Sequence, residues 1–157
     1  MTDFSRLRPH IIGDGWRGGI LLAGVIGLLL VFSGAFVTEL VAIDFSLGWI
    51  AVTAGIAIGA GILKAGLLPT VGALWLFAVW WFVFPPLIGY YTGDWDVSTR
   101  YTYPRFLGYA YGSAAAELAG GIERGTSSGL VYSLVVGTGG YLVGLAFSRF
   151  STRSDST

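Results

Sequence analysis

The sequence predicts an all-α fold, a polytopic bundle of transmembrane helices, and three observations predict it. Charge is scarce: only 11% of the 157 residues are Asp, Glu, Lys or Arg and 54% are hydrophobic, against roughly 25% charged residues in an ordinary soluble domain. The scarcity is also concentrated. Uncharged apolar runs of about 20 residues, the length a helix needs to cross a hydrocarbon core of about 30 Å, recur along a chain whose mean hydropathy is +0.72. Finally, the 25 glycines lie largely inside those runs, as they do in membrane helices.

Residues 18–38 (GGILLAGVIGLLLVFSGAFVT) form the clearest span, with no charge in it. The basic stretch ending at Arg17, the apolar core from Ile20 to Phe32 and the small residues Ser33, Gly34 and Ala35 also fit the grammar of a cleaved signal peptide. Apolar residues continue through Val37, however, and the rest of the chain is itself membrane-like, so a retained span is the better reading. The second span covers about 47–68. Its one charge, Lys64, lies near an end where a four-carbon stem can reach the headgroups, and Pro69 marks the exit. The third, about 70–91, carries Pro85 and Pro86 near its far end. A proline removes a backbone donor and crowds the preceding turn, so these two are a candidate helix break. Residues 129–147 supply the fourth span.

Residues 104–124 (PRFLGYAYGSAAAELAGGIER) are ambiguous. Thr102 could cap a helix with Pro104 in its first turn and Gly125 as its stop, and about 21 residues make a rod of about 30 Å. Glu117 weighs against insertion, since an acid at a helix centre costs roughly 2.5–3.5 kcal/mol. The segment is therefore either an interfacial or re-entrant helix or a fifth span. Gly108, Gly112, Ala116 and Gly120 recur every fourth residue, a small-residue stripe that lets helix backbones approach closely. Its expected partner is the last span, across a short turn at Gly125-Thr126-Ser127-Ser128-Gly129. Gly55 and Gly59, and Ser133, Gly137, Gly140 and Gly144, form further stripes of the same kind.

Basic residues set the orientation. With four spans, Arg6, Arg8, Arg17, Lys64, Arg149 and Arg153 fall on one side and Arg100, Arg105 and Arg124 on the other. A fifth span evens the distribution, so the positive-inside rule favours four spans with both termini cytoplasmic in a cell membrane. The whole chain then forms one integral domain, with a cytoplasmic arm at 1–17, an outer loop at 92–103 and a polar tail at 148–157.

Little in the sequence carries chemistry. The GTSSG string matches a nucleophile elbow, which requires a strand before it and a helix after, whereas here it joins two helices. The only histidine, His10, lies on the N-terminal arm. With no cysteine and a single histidine, a zinc site lacks ligands. Asp94 and Asp96, flanking Trp95, offer two carboxylates where a hard cation wants several oxygens. No cofactor or enzymatic activity is expected, and a net charge of zero gives no footprint for nucleic acid.

An ionisable group at membrane depth is a functional candidate by default. Glu117 is that group, with Ser113 one turn before it and Arg124 two turns after it near the same face. Trp16, Trp49, Tyr90, Tyr91 and Trp95 are expected at the membrane interfaces, and Trp75, Trp80 and Trp81 inside the third helix. The expected partners are the bilayer and either a second copy of the chain or another membrane protein. The function indicated is that of a non-enzymatic subunit or accessory protein, with a small oligomeric transporter or channel using the third helix and Glu117 as the alternative.

Overall fold

The computed structural model describes residues 10–43, 46–93 and 113–154, with side chains through residue 150. Four helices make up the described residues, with no strand among them: α1 (Gly15–Val37), α2 (Leu47–Ile62), α3 (Leu67–Thr92) and α4 (Ala114–Ser154). Three of them, α1, α3 and α4, are long and apolar enough to cross a membrane. The fourth, α2, has 16 residues and a length of about 24 Å, short of the usual span. The expectation of four full-length spans is corrected to three such helices and a shorter apolar one.

The reason is a turn that hydropathy cannot detect. The apolar run 47–68 is divided at residues 63–66, where Lys64 adopts φ 54° and Gly66 φ 101°. The Lys64 N–H bonds the Gly61 carbonyl at 3.1 Å and the Ala65 N–H bonds the Ala60 carbonyl at 2.9 Å. This pair of bonds is the Schellman motif that ends a helix. Helix α1 ends the same way, with Glu39 at φ 64° and bonds from Glu39 N–H to Phe36 and from Leu40 N–H to Ala35. Both left-handed positions, where glycine is the usual occupant, hold a charged residue.

Helix α3 runs without interruption through Pro85 and Pro86, so the expected break is absent. Pro86 has no N–H to give the Phe82 carbonyl, but a neighbouring helix can compensate for a proline inside an apolar bundle. Gly121 of α4 supplies that close neighbour, for a Cβ there would collide with the Phe82 carbonyl oxygen.

Helix α4 is a larger departure from expectation. Residues 114–124 and 129–147 belong to one continuous 41-residue helix, about 62 Å long, and not to two helices joined at GTSSG. Hydroxyls inside a helix can bond the carbonyl a turn earlier, and these do: Thr126 Oγ1 donates to the Ile122 carbonyl at 2.7 Å and Ser127 Oγ to that of Glu123 at 2.6 Å. Thr126 and Ser127 therefore satisfy their hydroxyls without leaving the helix. Ser113 starts the helix, its hydroxyl accepting from the Ala116 N–H at 3.2 Å, so the expected first turn at Thr102 and Pro104 is not where α4 begins. Residues 94–112 lie outside the described residues.

Helix α4 makes the most extensive contacts in the bundle, first with α3 and then with α2. It runs antiparallel to α3, with Gly121 and Gly125 against Phe82 and Val79 and Gly137 against Val71, and parallel to α2, with Gly140 against Ala57 and Gly144 against Ile58 and Gly61. The other half of the core is aromatic. Trp49, 7% exposed, meets Phe32 edge-on at 4.9 Å and lies 6.0 to 6.5 Å from Phe77, Trp80 and Trp81. Trp49, expected at a membrane interface, lies in the first turn of α2 and is buried in one cluster with the fully buried Ile43 of the chain between α1 and α2. Outward-facing positions such as Leu30, Val31, Val131 and Val135 are 62% to 69% exposed, a surface suited to hydrocarbon and compatible with a membrane protein.

Candidate polar site and helix-packing faces

Glu117 lies in the first turn of α4, not at a helix centre, and is 2% exposed. A carboxylate in the first turn is favoured by the exposed N–H groups and the positive end of the helix dipole. Its own N–H bonds the Ser113 carbonyl at 3.0 Å, so Ser113 holds this turn through both its backbone and its hydroxyl. Of the cations considered for Glu117, Arg124 is exposed on α4, and Arg100 and Arg105 lie outside the described residues. One turn along from Glu117, the Gly121–Phe82 approach brings α4 against the proline-bearing end of α3, where Pro85 and Pro86 are both buried. Glu117 and the two prolines thus belong to one end of the α3–α4 interface.

The buried face of α4 is Glu117, Gly121, Gly125, Gly129, Ser133 and Gly137, which repeats every four residues. The stripe read from the sequence was offset from it. Gly120 is buried, Ala116 is exposed, and Gly108 and Gly112 lie outside the described residues. Gly125 and Gly129 were missed because a turn was assumed there, and Gly121 because the stripe was placed one residue earlier at Gly120, yet their spacing from each other and from Ser133 and Gly137 was in plain view. Ser133, Gly137, Gly140 and Gly144 do line the interior. Ser133 Oγ donates to the Gly129 carbonyl at 2.7 Å, and a Cβ at Gly144 would strike the Ile58 carbonyl and the Gly61 α-carbon.

Few side-chain hydrogen bonds link different helices. Thr53 Oγ1 and the Tyr132 hydroxyl lie 2.6 Å apart, joining α2 to α4, and Trp80 Nε1 donates to Ser33 Oγ at 2.9 Å, joining α3 to α1. Trp75 Nε1 donates to the Thr126 carbonyl at 3.1 Å. Tyr141 stands apart: its ring packs with Ala60 and Ala65, it is 2% exposed, and its hydroxyl lies against the Gly66 backbone N–H without a well-formed hydrogen bond among the described residues.

The remaining candidates are placed as follows. Ser127 sits within a continuous helix with its hydroxyl on the Glu123 carbonyl, without the strand-to-helix turn a nucleophile elbow requires. Asp94, Trp95 and Asp96 lie outside the described residues, among which no group of three potential metal ligands converges. Gly55 and Gly59 face away from the bundle, with no atom within 4 Å of a Cβ built on either. The chain matches no protein-family model, and neither curated proteins nor solved structures provide a match.

Proposed function

We propose that this chain is a multi-pass protein of the cell membrane that acts through helix–helix association, as a non-enzymatic subunit or accessory protein, with a second copy of itself or another membrane protein as partner. The supporting observation is that its glycines fall into two sets. Gly121, Gly125, Gly129, Gly137, Gly140 and Gly144 are filled by α2 and α3. Gly24, Gly27, Gly34, Gly55 and Gly59 have no atom within 4 Å of a Cβ position, and Gly24, Gly27, Val31 and Gly34 fall on one face of α1 at three- and four-residue spacing. A glycine costs a helix interior roughly 1 kcal/mol relative to alanine, and in a bilayer small residues offset that cost when another helix packs on them.

The test is native mass measurement and crosslinking in mild detergent. We expect a discrete assembly that Gly27→Leu or Gly55→Leu disrupts while the subunit remains folded. Monomer alone, with no co-purifying protein, would refute the proposal.

In this reading all four helices cross, with α2 as a short span, and both termini are cytoplasmic. Its support is that α1 and α3 run one way, α2 and α4 the other, and that Arg17, Lys64 and the α4 segment around Arg149 share one end. Labelling of a cysteine placed at Ser154 from outside the cell would overturn it. A second reading, a small oligomeric transporter or channel, draws on the burial of Glu117 beside Pro85 and Pro86. It fails if reconstituted vesicles show no flux that Glu117→Ala alters.

A further inference from the structure

At the end of the bundle where α1 begins, α2 stops and α4 passes, three helices enclose an open groove of about 620 Å³. Arg17 and Lys64 line it together with Ile20, Ile62 and Leu63. Ile20 lies nearly one turn further into α1 than Arg17, so along α1 the lining passes from cationic to apolar. We propose that this groove binds an anionic phospholipid, its phosphodiester on Arg17 and Lys64 and an acyl chain along Ile20, Ile62 and Leu63. The proposal rests on the membrane reading above and is independent of what the chain associates with.

Four features carry it. Arg17 is already positioned: Nη1 donates to the Leu63 carbonyl at 3.1 Å and Nε lies 3.9 Å from Asp14 Oδ2. A guanidinium has five N–H donors in a fixed fork, so donors remain for a phosphate. Lys64 occupies a left-handed position, φ 54°, which suits glycine better than any residue with a Cβ, and its charge accounts for a residue the backbone alone would not select. Trp16, 75% exposed, lies on the groove, and exposed tryptophan marks headgroup level in membrane proteins. Finally, the charges match. Among the described lining residues two cations stand against the single carboxylate of Asp14, leaving one net positive charge for the one negative charge of a phosphodiester. Basic pockets between membrane helices bind lipid headgroups on this principle.

The experiment is native mass spectrometry of the full chain in mild detergent, titrated with phosphatidylglycerol or phosphatidylcholine. We expect phosphatidylglycerol to be retained in preference to phosphatidylcholine. Lys64→Gly, which gives the backbone the residue it prefers, should weaken phosphatidylglycerol binding about fivefold with no loss of thermal stability. Arg17→Gln should weaken it to a similar extent, and Asp14→Asn should strengthen it. Equal retention of the two lipids overturns the proposal, as does unchanged binding in both cation variants. Displacement of phosphatidylglycerol by excess inorganic phosphate also overturns it, for that would identify a free-phosphate site to which the apolar wall contributes nothing.

Discussion

Two tyrosines of α4 should respond in opposite directions to the same one-atom change. Tyr132 shares a 2.6 Å hydrogen bond with Thr53 Oγ1, whose own proton can still reach the Ile50 carbonyl at 3.0 Å. Tyr132→Phe therefore loses one ordinary hydrogen bond and leaves Thr53 satisfied, a cost of about 1 kcal/mol. Tyr141 is as deeply buried as Glu117, but its hydroxyl has no well-formed hydrogen bond among the described residues, only the poorly aligned Gly66 N–H beside it. An unsatisfied buried hydroxyl costs about 1–3 kcal/mol, so Tyr141→Phe should stabilise the fold by about 1 kcal/mol at the lower bound. The two variants then differ by about 2 kcal/mol, or about 4–8 °C in Tm for a chain of this size. Thermal unfolding in one detergent, followed by circular dichroism, measures the difference directly. If Tyr141→Phe destabilises as much as Tyr132→Phe, the Tyr141 hydroxyl has a partner and the account of this interface is wrong.

Other expectations follow from single positions. Gly140→Val should cost about 1–3 kcal/mol, because a Cβ there meets Ala57 of α2, whereas Gly139→Ala, which meets nothing within 4 Å, should be neutral or stabilising; thermal unfolding distinguishes the two. Glu39→Gly should be more stable than Glu39→Ala by about 1 kcal/mol, because both lose the side chain and only alanine keeps the strain of a left-handed residue at φ 64°, seen as a higher Tm. Ser113→Ala should remove about 1 kcal/mol of capping from α4, and hydrogen exchange should quicken at residues 114–117 while residues 130–145 stay protected.

The parts of the fold legible in the sequence were those that hydropathy governs. Helices α1 and α3 follow uncharged runs closely, since hydrocarbon length and backbone satisfaction leave few other solutions. What hydropathy could not show was the backbone angle. Lys64 is the one charge in its run and was read as an anchor at the end of a span, whereas the turn at Leu63-Lys64-Ala65-Gly66 depends on two residues with positive φ. The GTSSG segment misled in the opposite direction, because residues that favour turns in water can close their hydrogen bonds within a helix. Glu117 was singled out as a candidate ionisable residue, and its position in a first turn depended on where α4 begins. The packing stripe was recognised in kind and missed by one register position.

The glycine face of α4 also fixes an order of events. During synthesis the first three helices leave the ribosome before α4 exists, and the surfaces of α2 and α3 that will receive it, from Ala57 to Gly61 and from Val71 to Phe82, stay uncovered by it until then. The aromatic cluster around Trp49 draws on α1, α2, α3 and the chain between α1 and α2, with no residue of α4 among those described, and can form in that interval. The fold therefore allows two stages of assembly, an early one built on rings and a late one built on backbone contact. A translational pause or a truncation ahead of residue 113 would strand the chain between them, with α2 and α3 still lacking the helix that joins them.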